Sequence, residues 1–297
     1  MEKTFSATDS KICLESGLEY KEHTAKITIK NANGTNGLKY VSTSEEGFIS
    51  ATTDTNRKYV QFIGDSITEA SSSYSFTIPK EYGFDYSIIA YSGIALQNGA
   101  GWYYGSTGTI WKPTSTDVSL ISREDQVGME SAYFSVKRPK EAYYLDENGN
   151  LKYNNPAFDV AADNKPDVIV IGIGTNDSYY IRNNVSGVSG TDFTKSYVDF
   201  VTNLNSFYPN AEIYILRQFN NVTDRDGVNL SADYDKLREA TVNAVSELNT
   251  KPFADKVHYI DTTSWDVEIS SDKVHPTANG YAYLRDKVYN EIKGSLN

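Results

Sequence analysis

From residue 57 onward, short apolar runs alternate with stretches whose apolar positions recur every three or four residues, a pattern that predicts β-α-β units wound into a parallel sheet. Five runs predict strands: Tyr59 to Ile63, Tyr86 to Tyr91, Val168 to Ile173, Ala211 to Leu216 and Val257 to Ile260. Each is rich in Val, Ile and Tyr and nearly unbroken by charge, as befits strands covered by helices on both faces.

Between them, Phe193, Tyr197, Val201, Leu204 and Tyr208 stand at helical spacing after Asp192. Ser231 is positioned to cap a second helix carrying Tyr234, Leu237, Thr241, Val245 and Leu248. A last helix is expected to begin around Pro276, which a first turn tolerates, and carries Tyr281, Leu284, Val288 and Ile292.

Residues 1–56 read differently. Short alternating runs, Ala25 to Ile29 and Leu38 to Val41, are separated by the turn signals Asn33-Gly34 and Asn36-Gly37. This predicts a small β appendage, too short to bury a good sandwich core by itself. The expected division is therefore 1–56 for the appendage and 57–297 for one α/β domain. Between the second and third predicted strands the chain far exceeds the roughly 2 to 6 residues of an ordinary α/β connection. This insertion, at about 97–160, carries Trp102, Tyr103, Tyr104 and Trp111. It also holds a predicted hairpin of Tyr143-Tyr144-Leu145 against Leu151-Lys152-Tyr153 across Asn148-Gly149.

Composition narrows the function. The formal net charge of −11, from 39 acidic against 28 basic side chains, repels polyphosphate and argues against a nucleic-acid partner. No apolar run approaches the 18 or so residues of a membrane span, so no membrane partner is expected. Met1-Glu2-Lys3-Thr4 does not open a signal-peptide stretch. The lone Cys13 and the scattered His23, His258 and His275 make neither a disulfide scaffold nor a zinc cluster, so no metal is expected. His258, inside a strand, reads as structural.

The candidate chemistry sits at strand ends. The first strand runs into Gly64-Asp65-Ser66-Ile67-Thr68, which puts Ser66 at the carboxyl edge where open parallel sheets bind ligands. Taken alone, this also fits a turn in which Asp65 and Ser66 cap the next helix. The second strand ends in Tyr91-Ser92-Gly93, where a glycine leaves its N–H accessible to a ligand. The third ends in Gly172-Ile173-Gly174-Thr175-Asn176-Asp177, bringing the Asn176 amide to the same rim. Its Gly-x-Gly lacks the third glycine of a dinucleotide fingerprint, and Asp177 would repel a pyrophosphate. After the fifth strand comes Asp272-Lys273-Val274-His275-Pro276. An Asp three residues before a His can accept Nδ1–H and leave Nε2 to take a proton from a serine, although alone it also fits a capping Asp beside a surface His.

Taken together and in order, these four blocks resemble the SGNH hydrolases, also called GDSL-type esterases. The first block is Gly64-Asp65-Ser66-Ile67-Thr68, the second centres on Gly93, the third is Gly174-Thr175-Asn176-Asp177, and the last is Asp272-x-x-His275-Pro276. The resemblance covers about residues 57–295. It implies a three-layer α/β/α sandwich on a five-stranded parallel sheet, flavodoxin-like in its winding, with Ser66, His275 and Asp272 as catalytic residues. Ser66, Gly93 and Asn176 would form an oxyanion hole, and no cofactor is implied.

The stretch Asp85 to Gly93, the β appendage and the His275-Pro276 helix start are similar to family 2 carbohydrate esterases, which remove acetyl groups from plant polysaccharides. That likeness implies an acetylated carbohydrate substrate and an extracellular or cell-surface location. The branch departs from this chain in two ways: its members usually carry a fuller jelly-roll domain ahead of the catalytic one, and some orient the His by a backbone carbonyl. Trp102, Tyr103, Tyr104, Trp111 and Trp265 are candidates for an aromatic platform under sugar rings, or else core rings under a long loop. A GDSL-type lipase or thioesterase, and a non-catalytic polysaccharide-binding module, are the competing functions.

Overall fold

The computed structural model describes residues 16, 57–100, 125–159, 165–222 and 230–296, apart from the side chains of Lys140, Leu145 and Leu151. The chain divides into Met1–Asn56 and Arg57–Asn297. The β appendage expected over residues 1–56 lies outside the described residues.

The second unit is built on a five-stranded sheet made of β1 (Tyr59–Gly64), β2 (Asp85–Ala90), β5 (Val168–Gly172), β6 (Glu212–Leu216) and β7 (Val257–Ile260). All four pairings are parallel, in the order β2-β1-β5-β6-β7. The predicted runs thus form the strands, with ends shifted by a residue or so. Because side chains alternate across a strand, each apolar run feeds two cores. Ile63, Ile169, Ile171, Ile213 and Ile215 face one layer of helices, while Val60, Phe62, Val168, Val170 and Leu216 face the other.

The first layer is α6 (Gly190–Phe207) and α7 (Leu230–Leu248); the second includes α2 (Tyr74–Tyr82) and α8 (Ala278–Ile292). This is the three-layer α/β/α arrangement. α6 begins with a capping box, in which Ser189 and Asp192 satisfy each other's backbone N–H groups. α7 already includes Leu230, so Ser231 lies in its first turn instead of capping it. α8 starts later than expected: Thr277 is its N-cap, accepting the Gly280 N–H at 3.1 Å, and Pro276 stands before the helix, bridged to Ile269. A hydroxyl that accepts an orphan N–H is the better helix start, and proline, with no donor, is left to the loop.

Within the insertion, α3 (Met129–Ala132) and α4 (Pro139–Ala142) are single turns. The predicted hairpin forms as β3 (Tyr143–Leu145) antiparallel to β4 (Leu151–Tyr153), with Tyr143 opposite Tyr153. Its loop closes on the Asp146 carboxylate, which accepts the N–H groups of Asn148 and Asn150, and Gly149 takes φ +78°. None of the described helices is long and apolar enough to cross a membrane.

The strand order places the topological switch between β1 and β5, since the chain leaves β1 for β2 on one side and then crosses to β5 on the other. In parallel sheets, the crevice at such a point, beyond the carboxyl ends, is where ligands bind. The ends of β1 and β5 carry Ser66 and Asn176.

Candidate active site

The chain leaves β1 at Gly64 and turns at once into α1 (Ser66–Glu69), with Ser66 as its first residue. Asp65 caps this short helix by accepting the Ile67 N–H at 3.0 Å. The turn reading of Gly-Asp-Ser therefore describes Asp65 correctly, while Ser66 is turned elsewhere. Gly64 allows the tight geometry: a Cβ there would stand 2.1 Å from Thr68 Oγ1 and 2.5 Å from the Gly172 carbonyl of β5. Asp65 is fully buried, and burial pushes its carboxyl up to about 6, against the pull of the nearby Thr175, the bond from the Ile67 N–H and the charge of His275.

Ser66 Oγ lies 2.7 Å from His275 Nε2, although 209 positions separate the two residues. On the other side of the ring, His275 Nδ1 is 2.7 Å from Asp272 Oδ2. The loop that carries both folds on itself. The Ser270 N–H donates to the His275 carbonyl at 2.8 Å, the Thr277 N–H donates to the Glu268 carbonyl at 2.9 Å, and Lys273 takes φ +66° at the tip. Asp272 Oδ1 gathers the N–H groups of Val274 and His275, each at 2.9 Å, and the Ser270 hydroxyl at 2.8 Å. Partial burial disfavours its charge, but these donors and the His275 side chain outweigh that and hold the carboxyl well below the usual carboxylate range. The imidazole is thus oriented by a carboxylate and not by a backbone carbonyl. His275 and Asp272 side chains are 39% and 43% exposed, so solvent weakens the field between them.

The remaining two blocks follow β2 and β5, the strands that flank β1. Gly93 follows β2 at φ +83°, a left-handed conformation open to glycine at little cost. The Asn176 amide donates one N–H to the Ile94 carbonyl at 2.9 Å, which fixes its plane and leaves its second N–H for another acceptor. Asp177, read from the sequence as an obstacle to phosphate and as the last residue of the third motif block, is fully buried and takes the N–H of Leu96 at 2.8 Å and of Gln97 at 3.1 Å, with Gln97 Nε2 at 3.3 Å. Burial pushes its carboxyl up to about 7 against these bonds. Glu69, at the end of α1, accepts both the N–H and the hydroxyl of Ser92 at 2.6 Å and pairs with Arg138 of the insertion at 2.5 Å. Sequence pattern held no signal for Glu69 or Arg138, because their partners lie 23 and 69 positions away.

Trp265 is a correction. It is 5% exposed and packs in the core layer with Tyr281 and Leu284, where a large apolar ring gains most by burial, so it offers no face to a sugar. Trp102, Tyr103, Tyr104 and Trp111 lie outside the described residues. His258 belongs to the far edge of the sheet, where it bonds Glu212 at 2.6 Å. A hollow of about 340 Å³ flanks the loop of Asp272 and His275, lined by Asn221, Asp266, Val267, Glu268, Ile269 and Lys273.

Fold and site together define a three-layer α/β/α protein with a serine, a histidine and an aspartate in hydrogen-bonded series at the carboxyl edge of a parallel sheet. Residues 145–283 match the sequence model of the GDSL-like Lipase/Acylhydrolase family, which the motif blocks resemble. The match takes in Asn176, Asp272 and His275, while the Ser66 block lies ahead of it.

Among solved structures, the chain is similar to a carbohydrate esterase family 2 enzyme with a carbohydrate-binding domain from Corynascus thermopiles (Myceliophthora fergusii). The two are 20% identical with a TM-score of 0.54, over 84% of this chain and 70% of that one. It is also similar to an acetyl xylan esterase from the rumen bacterium Butyrivibrio proteoclasticus, at 18% identity and TM-score 0.51, over 80% and 64%. An active-site mutant of a family two carbohydrate esterase from Clostridium thermocellum aligns at 18% and 0.50, over 80% and 63%. The chain thus spans less than two thirds of the latter two. Identities this low speak to the fold alone. No protein of curated function matches the sequence.

Proposed function

We propose that this protein removes O-acetyl groups from a polysaccharide or oligosaccharide by acyl transfer through Ser66. The observation that carries the reading is the series Ser66 Oγ, His275 Nε2, His275 Nδ1, Asp272 Oδ2, with 2.7 Å at each hydrogen bond. His275 takes the hydroxyl proton as Ser66 Oγ bonds to the ester carbonyl carbon, and Asp272 holds the resulting imidazolium. The carbonyl π electrons move to oxygen, and that oxyanion meets the N–H groups of Ser66 and Gly93 and the second amide N–H of Asn176. Collapse breaks the bond to the sugar oxygen, which receives the proton from His275. Water then repeats the sequence on the acyl-enzyme, giving acetate and free Ser66.

Proteins of similar fold favour a carbohydrate over a long acyl chain. They include a carbohydrate esterase family 2 enzyme and an acetyl xylan esterase. Acetylated glycan as the partner, without nucleic acid or membrane, carries with it an extracellular or cell-surface place of action.

The test is acetate release from 4-nitrophenyl acetate and from acetylated xylan or glucomannan, with the intact protein beside Ser66→Ala. Turnover that Ser66→Ala abolishes, with preference for acetylated glycan over longer acyl esters, is the expected result. Preference for long-chain esters points to a lipase or thioesterase. A folded parent chain that turns over no ester sinks the esterase reading in favour of a binding module.

A further inference from the structure

We propose that Glu69 and Asp177 are positioning residues that set the oxyanion hole by holding the loop of residues 92–97 at both ends. This rests on the reading of Ser66 as an ester nucleophile.

Gly93 is the one donor in that hole with no side chain to anchor it, and its left-handed backbone is soft by nature. The direction of its N–H follows from the peptides on either side. Ser92, on one side, is held by Glu69 through both its N–H and its hydroxyl at 2.6 Å. Ile94, on the other, gives its carbonyl to the Asn176 amide at 2.9 Å. Further along, the N–H groups of Leu96 and Gln97 end on the two oxygens of Asp177.

The attachment points of these two carboxylates matter. Glu69 closes the single-turn helix that Ser66 opens, so it ties the loop to the nucleophile. Asp177 directly follows Asn176, so it ties the same loop to the third donor. The three groups that would face the oxyanion are thereby locked to one another, although they come from the ends of three different strands. Arg138 completes the first tie: its guanidinium bonds the other oxygen of Glu69 at 2.5 Å and lies 4.8 Å over the ring of Tyr91.

Asp177 is an expensive way to hold a loop. A carboxylate without exposure is costly to keep charged, and the bonds from Leu96, Gln97 N and Gln97 Nε2 are what offset it. Two backbone N–H groups converging on one carboxylate define a position more sharply than apolar packing does, and donors aimed in advance lower the barrier most. Because the hole is filled only as charge develops, loosening it lowers kcat and leaves ground-state binding alone.

The experiment is hydrolysis of 4-nitrophenyl acetate by the full chain and by Glu69→Gln, Asp177→Asn, Glu69→Ala and Asp177→Ala. Rates are normalised to the folded fraction from near-UV circular dichroism. The expected result is a kcat lower by about 10-fold to 100-fold with KM within about 2-fold, and a smaller loss in the amide variants, which keep one acceptor, than in the alanine variants. A folded variant pair with unchanged kcat, or with a raised KM alone, overturns the proposal. Should Asp177→Asn fail to fold, Glu69→Gln, at a partly exposed site, decides the matter by the same criterion. An active parent chain with unaffected variants sinks this inference only, whereas a parent chain inactive on every ester sinks the nucleophile reading and this inference with it.

Discussion

Asp272 grips His275 twice: Oδ2 stands 2.7 Å from the ring Nδ1, and Oδ1 accepts the backbone N–H of the same residue at 2.9 Å. Ring and backbone are held by one carboxylate, so the orientation of the imidazole is set within a single tight turn of chain.

Asp272→Asn is accordingly expected to lower kcat about 100-fold, near the low end of what positioned acid-base groups contribute, with KM little changed. The low end applies because Asp272 is 43% exposed and because the amide oxygen of Asn can keep the backbone bonds. Steady-state hydrolysis of 4-nitrophenyl acetate measures it, and an undiminished kcat would show that the carboxylate is dispensable.

The same carboxylate predicts a pH effect on stability. Its folded pKa is depressed, so the stability it adds is present above its ordinary value of 3.8 and is lost as pH falls below that. Asp65 and Asp177 run the other way: with folded values raised to about 6 and about 7, they lose stability as pH rises from 3.8 through those values. The gap in thermal midpoint between the parent protein and Asp272→Asn isolates the first effect. It should be widest above pH 5 and begin to narrow as pH falls below about 4, and a gap independent of pH would contradict the assignment.

Asn176→Ala should cost about 10² to 10³ in kcat, through the lost oxyanion donor, with a nearly unaltered KM. Part of that loss comes from freeing the Ile94 carbonyl that Asn176 now holds at 2.9 Å. Asn176→Asp, which keeps the size but not the donor, should be no better than Ala.

Gly64→Ala tests the close approach beneath Ser66. Its methyl would fall 2.5 Å from the Gly172 carbonyl, which is backbone and cannot swing aside, so β1 and β5 must separate. A destabilisation of about 1–3 kcal/mol by urea unfolding is expected, together with a fall in kcat, because Ser66 begins two residues on. Normal stability and rate would mean that the strand ends yield freely.

The sequence by itself was enough for the sheet and for the motif residues. Val168 to Ile173 is apolar at every position because β5 is buried on both faces, and such a run is readable without any knowledge of its neighbours. Ser66, Gly93, Asn176 and His275 were legible for a related reason: each directly follows a predicted strand or precedes a predicted helix, so the winding of a parallel sheet sends them to one edge. Other features depended on packing. Whether Trp265 met sugar or core was decided by the layer of α8 that closes over it, and Pro276 lost the helix start to Thr277 because a side-chain acceptor was available one residue on.

The roles of Glu69, Arg138 and Asp177 were invisible because a charge in a sequence does not name its partner. Theirs lie 23, 69 and 80 or 81 positions away. Periodicity along a chain records burial, which is a local property of each element. Hydrogen-bond partnership between strand ends is a property of the assembled sheet, and only the tertiary structure could supply it.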